Sequence, residues 1–253
     1  MHLRCIGCDV LARPLYLCSA RSPHVVDVTL LRRGLHRDPR DLREQLQTAI
    51  DVTSSDYDAI VLAYGLCGGA TAGLVAADVP VVMPRAHDCI TVFLGERARY
   101  QAEFTAHPGT YWYVQDYLER DDGSGDALLG VGAPSDERLQ ETYEEYVRKY
   151  GQDSADYLME TLGAWLEHYD RAVFIDLEIA HSSANEARAQ AEAKRRGWTF
   201  ERMTGNLNLI RRLLAGDWDE DFLVLRPGEQ LAMSWDEGVI TAVIRSRSKP
   251  SSA

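Results

Sequence analysis

Three cysteines and one histidine carry the chemistry this sequence offers most plainly. Cys8, Cys67 and Cys89 each follow an apolar run, and His87 stands two residues before the last of them. Three thiolates with one imidazole are the donor set of Zn²⁺, or of a [4Fe-4S] cluster held by three cysteines with one iron left open. Gly65, Gly68 and Gly69 flank Cys67, so with Tyr64 they are candidates to line a cofactor or to turn backbone N–H groups on an anion or the thiolate. No Lys-Ser or Lys-Thr follows those glycines, which excludes a Walker A loop. Arg85 is a candidate for recognising a substrate carboxylate and Asp88 for orienting His87, so Arg85, His87 and Asp88 form the candidate catalytic set.

Each of these residues has a plainer reading. A lone buried cysteine usually behaves as a small hydrophobe, and Cys18, inside a helical stretch, is read that way. Three cysteines at the ends of three separate strands favour a shared site. Cys5-Ile6-Gly7-Cys8 has the redox spacing, but Cys5 falls inside a strand and not at a helix N-terminus, where that chemistry needs it. In the second half, Gly205 and Asn206 mark a strand-to-helix turn that either meets a ligand or simply caps the helix. Asp176 and Glu178 end another strand, where carboxylates do acid/base work or stand solvated, and His181 is a weaker candidate.

Positioning these groups requires strands. Leu3–Gly7, Val25–Leu31, Ala59–Ala63 and Val79–Met83 are apolar or alternating runs separated by predicted helices at Asp9–Ala20, at Asp38–Ile50 and in the small residues after Gly69. The alternation predicts an α/β fold, a Rossmann-like parallel sheet flanked by helices, whose carboxyl edge is where ligands bind. Beyond it the sequence predicts a helix over Ile90–His107, an aromatic strand over Thr110–Gln115, and a glycine-rich boundary at 121–135. Two acidic helices follow, Glu137–Tyr150 and Ser154–Tyr169, forming a hairpin hinged at Gly151. A second, smaller α/β portion ends in a β-hairpin. The corresponding divisions are 1–120 for the domain carrying the Cys/His site, 121–170 for the linker and helical hairpin, 171–246 for the C-terminal α/β portion and 247–253 for a disordered tail.

Composition narrows the class. Of 253 residues, 39 are acidic and 27 basic, a net charge of −12 that disfavours a nucleic-acid partner. No apolar run approaches the roughly 20 residues needed to span a bilayer. An odd number of cysteines, five, without an export signal argues against a disulfide framework, so the expectation is a soluble, cytoplasmic protein with no membrane partner.

With Tyr64-Gly65-Leu66-Cys67-Gly68 and Pro84-Arg85-Ala86-His87-Asp88-Cys89-Ile90 in view, the chain resembles a prokaryotic family catalogued as domain of unknown function 1638. The likeness takes in Cys8, Pro108-Gly109-Thr110-Tyr111, Gly205 and Phe222-Leu223-Val224. It departs at Leu177–His181, where a small glycine-containing turn is expected. Members are often encoded near corrinoid-dependent methyltransferase systems, so the resemblance implies one-carbon chemistry and a corrinoid protein or methyltransferase as partner. Corrinoid-linked thiol methyltransferases use a zinc site containing His-x-Cys, which His87-Asp88-Cys89 resembles. The leading expectation is therefore a zinc-dependent enzyme acting on a small thiol or methyl-bearing substrate. The alternatives are a [4Fe-4S] protein of lyase or desulfurase type and a non-catalytic metal-binding accessory protein of a corrinoid system.

Overall fold

In the computed structural model, residues 1–120, 136–163, 168–180, 182–236 and 238–244 are described; the boundary at 121–135, the tail at 247–253 and His181 lie outside them. In chain order the elements are β1 (His2–Cys8), α1 (Ala12–Ser19), β2 (Val25–Leu31), α2 (Pro39–Asp51), β3 (Ala59–Ala63), β4 (Val81–Pro84), α3 (Cys89–Leu94) and α4 (Arg97–Ala106). Then come β5 (Thr110–Val114), α5 (Gln115–Glu119), α6 (Asp136–Tyr150), α7 (Gln152–Gly163), β6 (Arg171–Asp176), α8 (Ser183–Arg196) and β7 (Thr199–Thr204). The chain closes with α9 (Asn208–Ala215), β8 (Phe222–Leu225), β9 (Glu229–Met233) and β10 (Ile240–Ile244).

These elements form two compact units that interleave along the chain, one of residues 1–97 with 206–253 and one of residues 98–205. The sequence boundaries at 120 and 171 both fall inside the second unit. The first unit holds a five-stranded sheet in the order β2-β1-β3-β4-β8. Its first four strands are parallel; β8 runs antiparallel to β4, with Val81 opposite Leu225 and Pro84 opposite Phe222. Every residue of β3 is buried, as its unbroken apolar run requires of a strand covered on both faces. Leu42, Leu46 and Ile50 of α2 recur at four-residue spacing and are all buried; each such side chain contributes about 2 kcal/mol. Asp38 caps that helix by accepting from Arg40 N at 2.8 Å, and Pro39 occupies its first turn.

Two expected helices differ in the structure. In place of a helix after Gly69 there is only the 3-10 turn Cys67–Gly69, because Gly69 at its end and Gly73 beyond it adopt φ of +87° and +95°, which breaks any right-handed run. The stretch 90–107 divides at Gly95, which adopts φ +78° and closes α3. A side chain there would collide with the Asn206 carbonyl oxygen at 2.7 Å, and Asn206 N donates to Phe93 O at 2.8 Å. The points where the chain leaves and rejoins the first unit therefore touch.

The second unit is a parallel sheet in the order β5-β6-β7. Tyr111, Tyr113, Ala172 and Phe174 from its strands pack with Ala189 and Ala193 of α8. Arg171 is buried and ion-paired with Glu103 at 2.9 Å and Glu201 at 2.6 Å. The helical hairpin of α6 and α7 turns at Gly151, with φ +82°, and closes on Tyr146 and Ala155.

Candidate functional site

The sheet of the first unit reverses direction between β1 and β3: the chain adds β2 on one side of β1, then crosses to build β3 and β4 on the other. In open α/β sheets such a reversal marks the crevice, at the carboxyl ends of the strands, where ligands bind. Four loops meet the edge there, beginning at Asp9, Arg32, Tyr64 and Arg85.

Cys8 is the last residue of β1 and is buried. Its Sγ lies 3.9 Å from Asp9 Oδ1, and the same carboxylate oxygen accepts from Arg33 N at 2.9 Å, joining the loop after β1 to the loop after β2. Tyr64, one residue past β3, is 1 % exposed. Burial pushes its phenol well above the ordinary range, and Cys8, Cys67, Asp9 and Cys5 all lie within electrostatic reach and push the same way.

Cys67 adopts φ +49°, a left-handed conformation that costs a side-chain-bearing residue on the order of 1 kcal/mol, and Gly68 and Gly69 continue with positive φ. Burial raises its thiol to about 12; a Gly65 backbone hydrogen bond to the sulfur opposes the rise, and Asp88 and Cys8 add to it. That tight turn is held against the loop after β4. Leu66 N donates to Ala86 O at 2.8 Å and Cys67 N to His87 O at 2.9 Å. Gly65 is required because a Cβ there would sit 2.6 Å from the Asp88 backbone.

The loop after β4 uses its side chains differently from the sequence expectation. Asp88 caps α3, its Oδ1 accepting from Ile90 N at 2.9 Å and Thr91 N at 3.3 Å. Arg85 reaches the β9–β10 hairpin, donating through Nη1 to Gly238 O at 3.1 Å and to Ile240 O. His87 is exposed and Cys89 buried at the first position of α3. Elsewhere, Gly205 N donates to Asp176 O at 2.7 Å within the second unit, and Asn206 Oδ1 accepts from Asn208 N at 2.7 Å at the start of α9. Asp176 is ion-paired with Arg202, and its Oδ1 accepts from Glu178 N at 2.8 Å.

The backbone thus delivers Cys8, Cys67, Cys89 and His87 to one edge, and Cys8 and Cys67 act on each other electrostatically. Among the described residues, no group of three or more His, Cys, Asp or Glu side chains gathers closely enough to hold a metal ion. The five cysteines form no disulfide. Cys5, wholly enclosed in β1, has its thiol raised to about 12 by burial, with Arg4 opposing.

One residue of the crevice escapes the sequence reading. His36, in the 3-10 stretch Arg33–Arg37, stacks on Tyr64 with ring centroids 5.9 Å apart. Burial lowers its pKa to about 4, Asp9 opposing and Arg33 adding to the shift. The signal available was position: β2 ends at Leu31, so the next loop opens onto the same edge as Cys8 and Tyr64.

The fold and this edge define an open α/β protein with a thiol-bearing crevice at its switch point. The chain belongs to the family described as Protein of unknown function (DUF1638), whose model matches residues 30–214. The matched span includes Tyr64–Cys89 and begins after Cys8. No curated protein and no solved structure matches the chain. Among the described residues, no helix is long and apolar enough to cross a membrane.

Proposed function

We propose that the crevice is a metal–thiolate site, with zinc as the leading ion, in an enzyme acting on a small thiol or methyl-bearing substrate. One observation carries this reading: Cys8 and Cys67, two buried or half-buried thiols from separate strands, flank the switch point and face acidic neighbours. Cys8 and Cys67 would supply the first two ligands, and because no third donor stands with them among the described residues, Cys89 and His87 would have to be drawn in from the loop hydrogen-bonded to Cys67. Bound Zn²⁺ would hold its ligand thiols as thiolates and lower the pKa of a substrate thiol. Within the chain, the Gly65 backbone hydrogen bond stabilises a Cys67 thiolate. The same reading takes a corrinoid protein or methyltransferase as partner.

Metal analysis of anaerobically purified protein tests it. About one zinc per chain is expected, falling at least about tenfold in Cys8→Ser and Cys67→Ser and unchanged in Cys18→Ser, whose target lies in α1 away from the crevice. Iron with acid-labile sulfide would replace zinc by a [4Fe-4S] cluster on the same thiols. A folded protein that takes up neither would overturn the proposal.

A further inference from the structure

We infer that the Tyr64 hydroxyl and the His36 imidazole form a binding position for a small uncharged amide-like ligand, independent of any metal. The two rings come from different loops and stack with 22° between their planes. Tyr64 Oη and His36 Nε2 are both shielded from solvent, and neither has a hydrogen-bond partner among the described residues. Buried polar atoms are almost always paired, because an unpaired one forfeits its hydration without return. Two such atoms on stacked rings, at the strand edge where this class of fold receives ligands, indicate capacity left for a guest.

The surroundings specify the guest's chemistry. Near the phenol stands the Asp9 carboxylate, which disfavours an anion, while Cys8 and Cys67 line it with thiols. The imidazole is neutral at physiological pH, so it offers no charge to a carboxylate. Tyr64 O–H donates and therefore asks for an acceptor such as a carbonyl oxygen. Neutral His36 accepts or donates at Nε2 according to tautomer, and an adjacent amide N–H or carbonyl satisfies either.

Acetamide titrated into the intact protein, before and after chelator treatment, tests this, with acetate as the charged control of equal size. Tens of millimolar is the concentration range suited to so small a ligand. Saturable shifts of the His36 ¹⁵N and Tyr64 ring resonances are expected with acetamide alone. Tyr64→Phe should weaken binding about tenfold, one hydrogen bond's worth, and melt at the wild-type temperature or above it, since it removes an unpaired hydroxyl. An absent or non-saturating response, or an equal response to acetate, would overturn the inference. So would a Tyr64→Phe melt several degrees lower, because the hydroxyl would then have a partner within the fold. Loss of the response on chelation would also overturn it while leaving the metal–thiolate reading standing. If Tyr64→Phe does not fold, His36→Phe, which keeps a ring to stack, carries the same comparison.

Discussion

His36 loses most of its hydration on folding and holds its imidazole neutral down to about pH 4. In the unfolded chain the same group titrates near 6.5. Because the folded pKa is depressed, the unfolded state binds the proton first as pH falls. The associated stability is complete above pH 6.5 and is lost progressively toward about pH 4, by about 3 kcal/mol at most. Urea midpoints measured across that window should fall more steeply for the wild type than for His36→Phe; parallel profiles would remove His36 as the cause. The histidine was not legible as a site residue because it belongs to no motif and sits in an irregular stretch. Cys8 and Cys67 were legible because Cys8 ends, and Cys67 closely follows, a run whose burial is dictated by composition. The side-chain roles of Arg85 and Asp88 were harder to read. A guanidinium two residues before a histidine looks the same in sequence whether it meets a ligand or, as here, two carbonyls more than 150 residues away.

The β9–β10 hairpin is the element most tied to the crevice. Gly73 N donates to Leu231 O at 2.7 Å, Leu231 N to Leu74 O at 2.8 Å and Ala76 N to Glu229 O at 3.0 Å, so the hairpin is stitched to the segment that follows Cys67. Arg85 fastens its turn from the other loop. Arg85→Ala should therefore raise amide exchange in β9 and β10 by about tenfold or more while lowering global stability by only about 1.5–3 kcal/mol, the range for charge-assisted bonds. Exchange unchanged from the wild type would show that strand pairing alone holds the hairpin. The pairing itself was legible, since turn residues separate two apolar stretches over 229–244. The direction of β8 was not: four apolar residues after a turn carry no mark of whether they join a sheet parallel or antiparallel.

At the scale of the molecule, the alternation of strands and helices disclosed the α/β class but not the interleaving of units, because local patterns do not encode which sheet a strand joins. The second unit is one continuous segment, 98–205, with its own apolar cluster and a buried Arg171 neutralised by Glu103 and Glu201 from within it. Expressed alone, that segment is expected to give an α/β circular-dichroism spectrum and a cooperative melt. A non-cooperative thermal profile would show that its core is insufficient by itself. The contact between Gly95 and Asn206 gives this arrangement a history as well as a geometry. A polypeptide that departs and returns through a single doorway can acquire, shed or trade the enclosed stretch in one genetic event, and the sheet it left behind needs no re-cutting. The crevice-bearing half and its guest are thus open to separate ancestries, and to separate rates of change.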